Sequence, residues 1–308
     1  MINRTLIRIK ALQIVYAYCQ KNSIDLNGAE KELTRSLQKS YELYHHLLLL
    51  ITVFTDLEQK KIDALKYKFL LTEEDRNPNL RLANNRFAEQ LRSNEALERF
   101  VNRNGIIWVD ERNAFIRNLF NTILQSDCYK EYILSDDTYE NDREFWRKVF
   151  KNIILENLEF PEILEEKEIY WADDLDIIGT FVLKTIKRFD PATGQKQELL
   201  PMFRDEEDRR FATQLLHRSI LEYEENAALI NRQIQNWDLE RIASIDLYIM
   251  QIALAEIKNF PSIPISVSLN EYIDLARYYS TPKSSVFING ILDGIVTELK
   301  NERKLLKN

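Results

Sequence analysis

The chain has 308 residues, of which 45% are hydrophobic and 30% are charged, and its formal net charge is −7. This composition is typical of a soluble globular protein, and the length allows one large domain or two ordinary ones. The negative charge argues against broad, non-specific nucleic-acid binding. Because only 6 glycines and 7 prolines interrupt the sequence, we expect few, long elements and an all-α fold.

Neither the cysteines nor the apolar runs indicate an extracellular or membrane protein. Cys19 and Cys128 lie far apart and form no metal or redox motif. The amino terminus lacks the apolar core of a signal peptide, and the longest apolar run, 47–54, is far shorter than a membrane span. We therefore expect a cytoplasmic protein with no membrane contact.

The amino-terminal segment is predicted to form a helix over residues 3–20. Apolar residues on two sides of this helix, such as Ile14 and Tyr16, predict that it lies in the middle of a bundle. Residues 1–24 contain four basic residues and no acidic one, whereas residues 25–200 contain 25 basic and 33 acidic residues. The amino terminus is thus a basic island on an acidic protein.

The middle of the chain is predicted to be helical and is rich in acidic residues. The apolar spacing in residues 29–70 indicates either one very long helix or a tight helical pair. The sequence Asp190-Pro191-Ala192-Thr193-Gly194 is the clearest turn and a plausible domain boundary. Further helices are predicted over residues 84–103, 111–126, 140–157 and 171–189.

The carboxyl-terminal third has the most regular helical pattern. The residues Asn236 to Asp238 separate its first helix from a second, mostly buried one. Prolines end that second helix, and Ser280-Thr281-Pro282 supplies the start of the last helix. The predicted helices cover residues 205–235, 239–259, 266–279 and 282–299.

No motif for catalysis or metal binding is found. The glycines are scattered, so neither a Walker loop nor a dinucleotide-binding loop is present. His45 and His46 are adjacent and point about 100° apart on a helix, so they cannot share a metal as an i, i+4 pair does. Asp173, Asp174 and Asp176 are more typical of a helix amino terminus than of a cation site. We therefore expect neither an enzyme nor a cofactor.

An ordered series of residues runs through the carboxyl-terminal third of the chain. It consists of Trp237, Arg241, Asp246, Ala253–Ile257, Pro264, Val267–Arg277 and Phe287–Asp293. Together with Ala11–Tyr16 in the first helix and the helix that begins near Asp208, this series closely resembles the NusB family of transcription antitermination factors. The resemblance covers about residues 1–24 and 205–300.

This resemblance implies both a fold and a function. The fold would be a NusB-like core of two small helical bundles, built from residues 1–24 and 205–308, with residues 25–204 as an inserted helical segment. The function would be binding of a single-stranded boxA-type RNA together with the ribosomal protein NusE. The protein, the RNA and NusE would act together in the RNA polymerase antitermination complex on ribosomal RNA operons.

Four residues of the first helix are candidate RNA contacts. Arg4 and Arg8 lie four residues apart on one helical face, and with Lys10 they could contact phosphates. Family members often carry several arginines here, so the basic run of this chain is thin. By its position in the family motif, Tyr16 is a candidate to stack on a base.

Two other helices with family motifs add further candidates. Phe287 could stack on a base or be a core residue, and Asn289 could bind a base edge. For Asn289 and Gly290 we favour a role in helix packing, because a mid-helix glycine costs roughly 1 kcal/mol relative to alanine. The resemblance places the NusE-facing surface on the helix that contains Asp246 and Met250.

Two other functions are compatible with an all-helical chain. One is a protein-binding scaffold that docks through the acidic insert, which the net charge of −7 supports. The other is the RNA-binding module of a ribosomal RNA cytosine methyltransferase. We disfavour the second, because such an enzyme needs a cofactor-binding α/β domain and no glycine-rich strand-to-helix turn is present.

Overall fold

The computed structural model contains α-helices and short helical turns, with one isolated β-bridge between Ile2 and Phe203. The predicted all-α fold is confirmed. Across the described part of the chain, no helix combines the length and apolar character needed to cross a bilayer. The residues that the structure describes are 1–21, 23–108, 114–234 and 243–305.

The chain divides into two compact units, which we call the central unit and the terminal unit. The central unit comprises Met1 and Lys39–Pro201, and the terminal unit comprises Ile2–Gln38 and Met202–Asn308. Residues 25–38 are thus grouped with the first helix. The assignment of 25–204 to one inserted domain remains a prediction.

The terminal unit is built from the two ends of the sequence. It contains α1 and the first residues of α2, which continues into the central unit, followed by five helices close to the carboxyl terminus. The bounds are Arg4–Gln20 for α1, Leu26–Leu65 for α2, Glu206–Leu221 for α11, Tyr223–Ile234 for α12, Ser244–Asn259 for α13, Ile265–Tyr279 for α14 and Ser284–Asn301 for α15.

Helix α1 occupies the interior of the terminal unit. The side chain of Asn3 caps it by accepting a hydrogen bond from the Leu6 amide, at 2.9 Å. Every residue from Leu6 to Leu12 is buried, and the helix packs against α11 and α13. This position confirms the prediction of a central helix. Burial on all sides explains why two apolar faces are present on one short helix.

The single helix predicted over 205–235 is two helices. Helix α11 ends at Leu221, and α12 begins at Tyr223. The intervening Glu222 leaves the helical conformation and accepts bonds from Lys258 and Asn259 of α13. A tertiary contact therefore replaces the continuous helix that the local sequence favours. The predicted break at Asn236 to Asp238, and the motif residues Trp237 and Arg241, lie outside the described residues.

The central unit contains the rest of α2 and eight further α-helices among its described residues. These are α3 (Glu73–Arg76), α4 (Arg86–Arg92), α5 (Glu95–Asn104), α6 (Ala114–Gln125), α7 (Asp127–Leu134), α8 (Tyr139–Val149), α9 (Phe160–Lys167) and α10 (Leu175–Arg188). Stacked aromatic rings of Phe54, Phe120 and Trp146 occupy its core. The open question over 29–70 is settled, since α2 is one continuous helix.

Two predicted helices of the central unit are interrupted. Residues 84–103 form two helices, α4 and α5. The second helix starts anew because the Asn94 side chain caps it, accepting hydrogen bonds from the amides of Ala96 and Leu97. The helix predicted over 140–157 continues beyond α8 as a π-helical turn, Phe150–Ile154. Both irregularities arise from local hydrogen bonding that apolar periodicity does not encode.

Candidate nucleic-acid interface

The two arginines of α1, Arg4 and Arg8, are paired with carboxylates of the terminal unit. Arg4 contacts Glu207 at 2.6 Å and Asp208 at 3.1 Å, both in the first turn of α11. Its guanidinium also lies 5.1 Å from the ring centroid of Phe211. Arg4 keeps about a quarter of its side chain exposed. A phosphate that contacts Arg4 must therefore compete with two carboxylates that are already in place.

Arg8 lies deeper and is part of a buried ion pair. Its Nε and Nη2 atoms donate to the two carboxylate oxygens of Glu256 in α13, each at 2.8 Å, and its Nη1 atom lies 3.0 Å from Glu271 in α14. Glu256 also accepts hydrogen bonds from Ser268 Oγ at 2.7 Å and from the Tyr272 hydroxyl at 2.9 Å. The network joins α1, α13 and α14.

The protonation states of this network follow from burial and from the Glu256 charge. Burial by itself lowers the pKa of Arg8, but the hydrogen bonds and charge of Glu256 outweigh it and hold that pKa above its usual value. Burial and the same carboxylate raise the pKa of Tyr272, so its hydroxyl stays a donor. Arg8 is therefore permanently charged and fully engaged inside the unit.

The predicted phosphate contact by Arg8 does not agree with this placement. Its side chain is 3% exposed, and the whole of Lys10 is 1% exposed. Neither residue presents its charge on the surface of the described structure. The reason is that α1 is a central helix, so positions that a helical projection leaves on an open face are covered by α11, α13 and α14. We assign Arg8 a structural role instead.

Tyr16 remains at the surface, at the opposite end of α1 from Arg4. It is 38% exposed, and its ring meets that of Tyr248 edge to face with centroids 5.3 Å apart. Since Arg8 pairs with Glu256 and Tyr16 with Tyr248, α1 runs antiparallel to α13. The exposed tyrosine therefore lies at the amino-terminal end of α13.

The start of α15 is fastened to the same end of α13. The buried carboxylate of Asp246, in the first turn of α13, accepts hydrogen bonds from the hydroxyls of Ser284, at 2.8 Å, and of Ser280. Phe287 follows Ser284 by one helical turn and is half-buried. Tyr16 and Phe287 thus both lie at the end of the terminal unit where α13 begins.

Asn289 and Gly290 lie farther along α15. The Asn289 side chain donates to Asp293, at 3.2 Å on the surface. A Cβ atom added to Gly290 would meet no described atom within 4 Å. The favoured role of Gly290 in close helix packing is therefore not supported within the described residues. Gly290 is exposed, and none of the described residues covers its Cα atom.

The two predicted partner residues lie inside the unit. Met250 is completely buried, and Asp246 is 2% exposed with its carboxylate held by two serines. Neither side chain is available as a surface contact in this structure. Their positions in an otherwise buried helix explain this, because α13 is covered by neighbouring helices.

The histidines and aspartates considered as metal ligands have other surroundings. Among the described residues, no group of three or more potential ligands could hold a metal ion. His45 stacks on Phe100 with ring centroids 4.5 Å apart, and its Nδ1 atom bonds the Tyr41 carbonyl. Burial lowers the pKa of His45 and of His46 to about 4. Both histidines are therefore neutral packing residues near neutral pH.

Two aromatic residues of this region were missed by the sequence reasoning. Tyr248 supports the ring of Tyr16, and Tyr278 in the last turns of α14 is 83% exposed. A tyrosine in an otherwise apolar helix was the available signal for Tyr248. For Tyr278, its position just before the Ser280-Thr281-Pro282 turn was the signal.

The model of the protein family described as NusB family matches residues 182–297. This match begins within α10 of the central unit and ends within α15 of the terminal unit. No solved structure gives a significant match to the chain.

Several curated relatives, each named transcription antitermination protein NusB, are similar to parts of the chain. The protein of Salinibacter ruber is 33% identical over 132 residues, which cover 41% of this chain and 82% of the relative. That of Koribacter versatilis is 42% identical over 100 residues, covering 32% and 68%. That of Chloroherpeton thalassium is 46% identical over 79 residues, covering 26% and 37%. Identity at this level over most of a relative's length establishes that the chain belongs to the NusB family.

Proposed function

We propose that the chain is an RNA-binding transcription antitermination factor. It would bind boxA-type RNA together with the ribosomal protein NusE, in the RNA polymerase antitermination complex on ribosomal RNA operons. Its relatives are named transcription antitermination proteins, which supports this role. A protein with this role acts in the cytoplasm.

The observation that carries the proposal is the common position of two aromatic residues. Tyr16 and Phe287 come from opposite ends of the sequence, yet both lie where α13 begins. Single-stranded RNA is read by stacking unpaired bases on aromatic side chains, and such stacking contributes about 1–3 kcal/mol per base. Asn289 and the open backbone at Gly290 lie on the same helix as Phe287 and extend this surface.

We propose that NusE contacts the terminal unit, and that Asp246 and Met250 do not touch NusE directly. Both residues are buried, so their contribution would be to position α13. Asp246 holds the start of α15 through Ser280 and Ser284, and a change there would displace Phe287.

Binding of a boxA-type RNA, measured with and without NusE over a series of salt concentrations, tests the proposal. We expect measurable binding with NusE present, and a salt dependence that reflects the number of phosphate contacts. A complete lack of RNA binding in the presence of NusE would refute the proposal.

A protein-binding scaffold is the second candidate, and the central unit favours it. Residues 39–201 contain 23 basic and 30 acidic residues, so this unit carries the whole net charge of −7. The exposed segment after α2 is apolar, with Tyr67 90% and Phe69 98% exposed. The same RNA-binding measurement separates the two functions, because a pure scaffold binds no RNA. We do not favour the methyltransferase module, because the curated relatives are named transcription antitermination proteins.

A further inference from the structure

We propose that two exposed lysines, Lys21 and Lys283, contact the phosphates of the bound RNA, in place of the basic first turns of α1. The inference rests on the proposed function and adds the position of the backbone contacts. It follows from where unneutralised positive charge lies relative to Tyr16 and Phe287. Neither lysine was among the candidate contacts that the family motifs indicate.

Lys283 stands immediately before α15. It is exposed and makes no ion pair with any described residue. The next residue, Ser284, is bound to the buried carboxylate of Asp246, which fixes the position of Lys283 relative to α13. Lys283 and Phe287 are four residues apart, so they lie on the same side of the chain as α15 begins. A cation therefore flanks the half-buried ring of Phe287.

Lys21 stands at the carboxyl end of α1. It is exposed, and like Lys283 it has no ion-pair partner among the described residues. Tyr16 precedes it by little more than one turn and is held against Tyr248 of α13. A second exposed cation thus lies at the same end of α1 as Tyr16.

Helix α13 places the two lysine–aromatic pairs on either side of its amino-terminal end. Asp246 anchors one pair and Tyr248 anchors the other, and residues two apart on a helix point about 200° apart. A helix with its side chains is about 10–12 Å across, a distance that a few nucleotides of single strand can span. The exposed ring of Tyr278, just before the Ser280 that Asp246 also binds, adds aromatic surface at this end.

Most other cations of the terminal unit are already neutralised by carboxylates. Arg4 and Arg8 are paired as described above, Arg218 lies 3.2 Å from Glu222, and Arg277 contacts Asp274. A phosphate gains less from such a cation, because it must displace an existing partner. An aromatic ring with a free cation beside it is the usual composition of a single-strand binding surface.

Other exposed cations of the terminal unit also have no ion-pair partner in the described structure, and Arg210 and Lys300 are among them. Arg210 lines the same cleft as Arg4 at the other end of α1, and Lys300 lies in the last turn of α15. Neither stands beside Tyr16 or Phe287. Lys300 is therefore a matched control for Lys283, since both are exposed lysines at opposite ends of one helix.

The test measures RNA affinity of the full chain with NusE over a salt series. The variants are Lys21→Ala, Lys283→Ala, Arg4→Ala and Lys300→Ala. The probes are a boxA-type RNA and a uridine oligomer of equal length. We expect Lys21→Ala and Lys283→Ala each to weaken binding of both probes and to reduce the salt slope by about 0.7, the value for one phosphate of a single strand. Lys300→Ala should leave affinity and slope unchanged.

Three results would overturn the inference, and they can be told apart. If the parental chain binds neither RNA, the proposed function fails as well. If the parental chain binds and neither Lys21→Ala nor Lys283→Ala changes the slope, only the position of the phosphate contacts is refuted. If Arg4→Ala alone reduces the slope, the contacts lie at the other end of α1.

Discussion

The two units of this chain treat charge in different ways. The terminal unit contains 19 basic and 19 acidic residues and is neutral, whereas the central unit carries the entire excess of acidic residues. The terminal unit buries a charged pair, Arg8 with Glu256, and supplies both charges with hydrogen bonds. The central unit buries two histidines, His45 and His46, in their neutral form. The family match covers mainly the neutral unit.

This difference makes a net charge of −7 compatible with the proposed binding of a polyanion. The excess of acidic residues lies in residues 39–201. The terminal unit, which contains Tyr16 and Phe287, has no net charge. Net charge is a property of the whole chain, while phosphate binding depends on cations within roughly one Debye length, about 8–10 Å. The distribution of charge is thus more informative than its sum.

The largest expected effect tests the buried ion pair of the terminal unit. Arg8→Ala or Glu256→Ala should each destabilise this unit by about 3–5 kcal/mol, because the remaining charge is buried without its partner. Protection of α1 and α13 amides against hydrogen exchange measures the loss. Arg210→Ala is the control and should have little effect. The double variant Arg8→Met with Glu256→Leu should cost less than the two single changes together; full additivity would contradict the interpretation.

The next effect concerns pH and should appear in the central unit. The pKa of His45 and of His46 is lowered by burial from 6.5 to about 4. Between these values the unfolded chain takes up protons that the folded chain does not. These two histidines therefore do not change the free energy of unfolding above pH 6.5. Between pH 6.5 and about pH 4, each histidine lowers that free energy by about 1.4 kcal/mol per pH unit as the pH falls.

Urea denaturation at several pH values measures this loss. In a Trp237→Phe background, the fluorescence comes from Trp108, Trp146 and Trp171, which all belong to the central unit. His45→Phe should reduce the pH dependence. An unfolding free energy that stays constant from pH 7 to 5 would contradict the assignment of two neutral buried histidines.

A smaller effect tests which unit contacts RNA. Phe287→Ala and Tyr16→Ala should each lower boxA-type RNA affinity by about 1–3 kcal/mol, or about five- to 150-fold, through loss of base stacking. The matched control is Tyr67→Ala, which removes an exposed tyrosine of the central unit. If Tyr67→Ala weakens binding as much as Tyr16→Ala, the division of function between the units is wrong.

The last prediction compares two glycines, one in each unit, and includes the smallest expected effect. Gly290→Ala should stabilise α15 by up to roughly 1 kcal/mol, since alanine favours the helix and the new methyl group meets no described atom. Gly179→Ala in α10 should destabilise the protein by about 1–3 kcal/mol, because its Cβ atom would collide with the half-buried Leu155 side chain. Thermal denaturation measures both. A destabilising Gly290→Ala would indicate that an undescribed contact covers this position.

Several features of the fold followed from local sequence. The spacing of apolar residues in α1, α2 and α13 predicted helices. Residues at this spacing lie on one common face only when the segment is helical, and that face can then be buried. The same reasoning predicted a central position for α1, with apolar residues on two of its faces. It failed at Glu222 and Asn94, where contacts with α13 and a local cap interrupt continuous periodicity.

The candidate site was predictable only in part. The motifs identified Tyr16 and Phe287, which the structure places at one end of the terminal unit. They also pointed to Arg8, where tertiary structure decided otherwise. A helical projection treats each charged face as open to solvent. In the fold, however, Arg8 pairs with Glu256 and Glu271, which lie about 250 residues away in the sequence.

By itself, the sequence determined the helical class, the family and the types of residue at the proposed RNA-binding surface. Periodicity and ordered motifs are properties of neighbouring residues, so they can be read directly from the chain. Only the tertiary structure decided which cations are neutralised and which stay free. That outcome depends on carboxylates brought in by α11, α13 and α14, and pairing across such sequence distances follows from packing rather than from any local pattern.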